Sequence, residues 1–245
     1  MDVKFWTSKH FVYKIRISKQ FRSKKSIVPI GCDCHPAYML TKMELRKQSL
    51  PFDWLDTKPS GALQYAFENI RDSFSRFMLD LAINEQQKVF ASAYPDALFY
   101  HFDDLVINKP LQEKIGQRCK ILLDIYNKGN CYFIHNTTSL NFDDSSKVDE
   151  FIASVEEFQT ILKPDDELLI YLRYDESVSE NQLYCEELIK QVNALSNCRM
   201  TAYVREKEKF GIWGDESKYK KLLNDLGVVC TETFPKVEIV KKKIS

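Results

Sequence analysis

Residues 30–38 read Ile-Gly-Cys-Asp-Cys-His-Pro-Ala-Tyr, with two cysteines, an aspartate and a histidine inside four positions. Such a cluster suits three things: a nucleophilic thiol, a zinc knuckle, or a strand-to-helix corner without chemistry. Pro36 fits the first turn of a helix, where its missing N–H would be unpaired anyway. Helix amino termini carry unpaired donors and partial positive charge. Cys34, just ahead of that helix, is therefore expected to have a lowered pKa and to act as a nucleophile. The corner also lies at a strand's carboxyl end, where open α/β sheets bind ligands. Gly31 and Asp33 are candidate substrate contacts there. Structural zinc takes four ligands with C-x2–4-C spacing, whereas Cys32 and Cys34 are separated by one residue and no second pair follows. No metal and no cofactor is assigned. An inert Cys34 in a purely structural corner is the alternative.

A thiol nucleophile needs a base. The four histidines are His10, in a basic stretch; His35, whose nearness in sequence can turn its ring away from the thiol; His101, in Tyr-His-Phe-Asp-Asp; and His135, in Phe-Ile-His-Asn-Thr. His101 is followed by acids that could orient an imidazole. His135 ends a predicted central strand and is followed by Asn136, a candidate substrate contact. A hydrogen-bonded structural role is the alternative for both. In Leu-Pro-Phe-Asp-Trp-Leu, residues 50–55, Asp53 would be costly to bury unpaired, so it either faces the crevice or caps a turn. Trp54 is either a stacking platform or a buried anchor.

The elements that must hold these residues are clearest after residue 110. Apolar periodicity predicts helices over 110–128, 146–162, 180–195 and 215–226, alternating with apolar strands at 131–137, 167–175, 199–206 and 228–233. Strands this continuously apolar are covered on both faces, and repeated β-α-β implies parallel strands with right-handed crossovers. Residues 26–31 are a plausible first strand, with Pro29 suited to an edge or end. A helix is expected from Pro59 to about residue 82, then one or two short strands in 87–102. The fold class is α/β: a doubly wound, mostly parallel sheet with flanking helices, unlike papain. Three parts follow: a basic aromatic arm (1–25), one α/β domain (26–235) and a basic tail (236–245).

The 245 residues are 44% hydrophobic and 29% charged, with zero net charge, as in an ordinary globular chain. Seven cysteines, several inside apolar runs, fit a reducing, cytoplasmic setting better than a disulfide framework. Charge is unevenly spread: residues 1–25 hold eight Lys or Arg against Asp2 alone, a net of +7. Mixed with Phe5, Trp6, Phe11 and Tyr13, that arm suits an anionic membrane surface or an acidic partner; a loosely packed solvated arm is the alternative. No nucleic-acid partner is predicted, no stretch reads as a signal peptide, and none approaches the ~20 apolar residues of a membrane span.

The frame around Cys34 resembles a bacterial family of unknown function described as papain-like cysteine peptidases, with the pattern S-L-G-x-x-C-x-x-A-x-x-L, an arginine, then P-F-D-W-L. Gly31, Cys34, Ala37, Leu40, Arg46 and Pro51 through Leu55 match in order, while Pro29 and Ile30 replace the Ser-Leu pair. The Tyr-His-Phe-Asp-Asp segment is also similar to a family motif. The resemblance implies Cys34 as nucleophile, His101 as base and Asp53 as a third member. A cysteine-dependent hydrolase or acyl-transfer enzyme acting on a peptide, glycan or small molecule is the first expectation. A transferase for carbohydrate or nucleotide-sugar substrates in surface-polysaccharide assembly is the second, although the D-x-D metal motif is missing. A noncatalytic binding protein is the third.

Overall fold

The computed structural model describes residues 2–8, 10–178 and 181–243. The first half contains β1 (Asp2–Thr7), β2 (Phe11–Ser23), β3 (Ser26–Pro29), α1 (His35–Lys42), β4 (Asp56–Thr57), α2 (Ala62–Arg71), β5 (Leu81–Ile83), β6 (Val89–Ala91), β7 (Tyr94–Leu98) and α3 (Lys109–Lys128). The second half contains β8 (Cys131–Thr138), α4 (Ser145–Gln159), β9 (Glu167–Tyr174), α5 (Gln182–Ala194), β10 (Cys198–Val204), α6 (Lys207–Phe210), α7 (Tyr219–Asp225) and β11 (Cys230–Lys243). The chain is an α/β protein built on a four-stranded parallel sheet of order β10-β9-β8-β3.

Continuous apolar runs put β8 and β9 at the centre of that sheet, and their side chains alternate between two cores. Phe133, Leu168, Ile170 and Leu172 enter one cluster with residues of α2, α4 and α5. Tyr132, Ile134, Leu169 and Tyr171 enter the other with residues of α1 and α7. Burial of strands on both faces is what their lack of polar alternation implies. β3 is one of the two edge strands, and Pro29 is its last residue. Asn108 caps α3 by accepting from the Leu111 N–H at 3.0 Å, and Asp144 caps α4 by accepting from the Lys147 N–H at 3.1 Å.

Two expectations change. The helix predicted from Pro59 to about residue 82 ends at Arg71, because Ser73 and Phe74 adopt left-handed backbone (φ 58° and 62°). Phe74 and Phe77 still reach the core from the turns that follow. Residues 228–233, predicted as a further strand of the parallel sheet, instead lead into β11. That strand pairs antiparallel with β2, which also pairs with β1, in a separate three-stranded ribbon. The basic segment at the amino end and the carboxyl-terminal segment thus share one sheet.

A third, antiparallel sheet of order β4-β7-β6-β5 stands beside the main one. Its two-residue edge strand β4 pairs Asp56 with Leu98 and Thr57 with Ala97. The Thr57 N–H donates to the Cys32 carbonyl at 2.7 Å, fastening this small sheet to the β3–α1 corner. No helix among the described residues is long and apolar enough to cross a membrane.

Candidate active site

The β3–α1 corner continues the parallel pairing beyond β3. The Ile30 N–H donates to the Ile134 carbonyl at 2.9 Å and the Cys32 N–H to the Asn136 carbonyl at 3.4 Å. Only glycine fits at position 31. A Cβ there would strike Asn136 Oδ1 and approach Pro36 Cγ to 2.6 Å. Pro36 lies in the first turn of α1, as its missing N–H favours, and Cys34 is the residue before the helix.

At the carboxyl ends of these strands lies a cleft of about 280 Å³ whose lining includes Cys34, His101, Trp54, Asp56, Arg173 and Trp213. Cys34 is half-buried and His101 is exposed at the rim. Pairing of Asp56 with Leu98 brings the segment carrying Trp54 alongside the residues that follow β7, including His101. The Trp54 and His101 rings meet edge to face, 5.8 Å between centroids.

Asp33 organises the cleft floor. Its carboxylate accepts from Arg173 Nη1 at 2.5 Å, from the His35 N–H at 2.9 Å and from Asn136 Nδ2 at 2.9 Å. Burial works to raise its pKa, but the Arg173 charge and these hydrogen bonds outweigh it and hold the carboxyl below its usual value. Arg205 donates to Asp175 Oδ1 at 2.5 Å and to the Ile212 carbonyl at 3.0 Å. Burial and the Asp33 charge raise Asp56 from its ordinary value, while Arg173 and His101 oppose that rise.

The helix terminus does not acidify Cys34 as the sequence suggested. Burial and then the neighbouring Asp33 charge raise its thiol to about 11, and the sulfur's hydrogen bond to its own backbone N–H offsets only part of this. The local amides explain why: the His35 N–H is spent on Asp33, and Pro36 has none. At neutral pH the resting group is a thiol. All seven cysteines are free; Cys32, Cys119, Cys131 and Cys185 are buried, and Cys34, Cys198 and Cys230 are half-buried.

The remaining sequence candidates separate. Asp53 is buried and receives hydrogen bonds from Arg46 Nε at 3.0 Å and the Leu50 N–H at 2.8 Å, with a further one from Arg46 Nη2. It takes no part in lining the cleft. Pairing a buried carboxylate with arginine is what removes it from the crevice. His135 is fully buried against Phe151 and donates from Nδ1 to the Ile30 carbonyl at 2.8 Å. Burial lowers its pKa to about 4; it belongs to the core and not to the cleft. Asn136 does not line the cleft and touches it only through its hydrogen bond to Asp33. His35 is buried as well but borders the cleft: its Nδ1 accepts from the Tyr171 hydroxyl at 2.6 Å and its Nε2 donates to the Trp213 carbonyl at 3.0 Å. Burial lowers its pKa to about 4.

Asp56, Arg173, Arg205 and Trp213 were absent from the sequence-level candidates. Asp56 stands one residue beyond the Pro51–Leu55 motif, a signal that was available. Arg173 interrupts the apolar run of β9 near its carboxyl end, another readable sign. Among the described residues, no group of three or more His, Cys, Asp or Glu gathers to hold a metal ion.

No solved structure matches this chain. A curated relative, "Uncharacterized protein R408" of Acanthamoeba polyphaga mimivirus, is 38% identical over 50 residues, or 20% of this chain and 22% of the relative. The chain thus matches about a fifth of that relative's length. The family described as "Putative papain-like cysteine peptidase (DUF1796)" matches residues 25–203, a span covering β3, α1, the cleft segments 31–57 and 100–101, and Arg173. The chain belongs to that family.

Proposed function

We propose that this protein is a cysteine-dependent hydrolase or acyl-transfer enzyme with Cys34 as nucleophile, His101 as base and Asp56 as the carboxylate acting on His101. The observation that carries the reading is the shared cleft, in which Cys34, Asp56 and His101 all stand at the carboxyl end of the parallel sheet. Because the resting sulfur is protonated, its proton leaves as the sulfur–carbon bond forms. His101 accepts that proton, and the carbonyl π pair moves onto oxygen. Collapse of the tetrahedral species expels the leaving group, which takes the proton from His101 and leaves a thioester on Cys34. Water or another acceptor, deprotonated by His101, then attacks the thioester and restores the thiol. Arg173 and Arg205 supply positive charge at the cleft for the developing oxyanion. Trp54 and Trp213 form apolar walls for the acyl group.

Intact-mass and peptide mapping after exposure to p-nitrophenyl acetate and activated peptide esters tests this reading. Acylation should concentrate on Cys34 and disappear in Cys34→Ser. It should slow by roughly 10²-fold or more in His101→Ala, the usual scale of a lost general base. Equal acylation of the half-buried Cys198 and Cys230, or an unaltered rate in His101→Ala, overturns it.

A further inference from the structure

The three-stranded ribbon has two unlike faces. In the pairing of β1 with β2, Val3 stands opposite Ile15, and after a bulge Trp6 stands opposite Tyr13. In the pairing of β11 with β2, Ile239 stands opposite Ile15, Val237 opposite Ile17, and Lys241 opposite Tyr13. Side chains two residues apart share a face, so Val3, Trp6, Tyr13, Ile15, Val237 and Ile239 line the same one. None of them joins either core cluster. Trp6 is 55% exposed, Val237 62% and Ile239 70%. Lys241 lies on this face with its ammonium 3.8 Å from the Phe11 ring centroid. The other face carries the directly opposed pair Lys4 and Lys14.

Phe21 fixes the base of β2 in the second core cluster. From there to Phe11 the strand runs on the order of 33 Å at ~3.3 Å per residue. The three strands together hold nine Lys or Arg against Asp2, Glu232 and Glu238, a net of +6 in a chain whose total is zero. We infer that this ribbon docks by its apolar face on an anionic bilayer surface. Exposed apolar patches of this kind mark interaction sites. Trp and Tyr suit the headgroup level, and each lysine near a negatively charged leaflet adds to the attraction. Charge decides against a second copy as occupant: two ribbons of net +6 would be brought together, and Lys241 would be enclosed between apolar sheets. At a bilayer, Lys241 reaches the headgroups while its stem stays on the apolar face.

The test is flotation of the full chain with phosphatidylcholine vesicles, with and without about 30 mol % phosphatidylserine. The protein should float with the anionic vesicles, remain behind with phosphatidylcholine alone, and be released by high salt. The double variants V237T/I239S and K4Q/K14Q should each weaken partition on the order of tenfold. Circular dichroism and the thermal midpoint should stay unchanged, because the altered side chains lie outside both core clusters. Trp6 fluorescence should shift to the blue on binding, and Trp6→Ser should lose that component. Failure to float with anionic vesicles, or equal flotation with both kinds, overturns the inference. So does a lipid-independent dimer in sedimentation that V237T/I239S abolishes, which would make a second copy the occupant.

Discussion

Replacing His135 by asparagine should flatten the acid side of the stability curve. In the native state His135 donates from Nδ1 to the Ile30 carbonyl, and its buried Nε2 has no hydrogen-bond partner among the described residues. Burial lowers its pKa from 6.5 to about 4, against smaller upward pulls from the Ile30 carbonyl and the Asp33 charge. The unfolded chain therefore takes up a proton between pH 6.5 and pH 4 that the folded chain refuses. Stability falls as pH falls through that window, because the unfolded state binds more protons. With these two values, linkage gives a loss of about 2 kcal/mol between pH 7 and pH 5. That is a large share of the ~5–15 kcal/mol typical of a domain. His35, also lowered to about 4 by burial, adds a term of the same sign. Asp53 and Asp56, raised chiefly by burial, act in the opposite direction at lower pH, so the contrast between proteins isolates His135. The substituted asparagine retains an amide donor toward Ile30 but cannot titrate. Urea unfolding at pH 7 and pH 5 should show an acid loss smaller by about 2 kcal/mol in His135→Asn. Parallel pH profiles for the two proteins would refute the reasoning.

Two other substitutions bear on the cleft. Asp33→Asn should cost about 1.5–3 kcal/mol in urea unfolding, because it removes the charge-assisted hydrogen bond to Arg173, which keeps only Asp175, 3.7 Å from its Nε. It should also quicken iodoacetamide labelling of Cys34 at pH 8 severalfold, since the Asp33 charge is the second cause of that thiol's raised pKa; an unchanged rate counts against the electrostatic account. Gly31→Ala should destabilise by about 1–3 kcal/mol as its Cβ displaces Asn136 and Pro36. Wild-type stability in that variant would show that the corner has room the geometry denies.

The central architecture was legible because β8 and β9 are apolar on both faces, and only parallel strands under helices require that. The corner was legible because Gly31 and Pro36 each have a local physical reason to be there. The ribbon was hidden by its own charge. Phe11, Tyr13, Ile15 and Ile17 alternate with Val12, Lys14, Arg16 and Ser18 at the period of a strand, yet so dense a run of basic residues has the composition of a solvated or surface-binding arm. Its partner β11 is more than 200 residues away, beyond any local signal. In the site, Cys34, Asp33, Trp54 and His101 line one cleft. His135 lies in the core, which a strand's end alone does not reveal, because it does not say which face a side chain takes. Asp53 is held by Arg46, which comes from a loop that folds back on it. Arg173 could be noticed as a charge in an apolar strand, but its partner 140 residues earlier required the fold.

That separation bears on how the protein is made. β3 and Asp33 leave the ribosome early, yet Ser26 has no strand partner until Cys131 has been synthesised, and Asp33 has no counter-charge until Arg173 follows. Through that interval an apolar edge strand waits unpaired, the kind of species that associates wrongly when long-range parallel pairing is slow. The later of these two joins also helps to form the cleft floor. A nascent chain therefore carries Cys34 long before it carries the cleft that surrounds it.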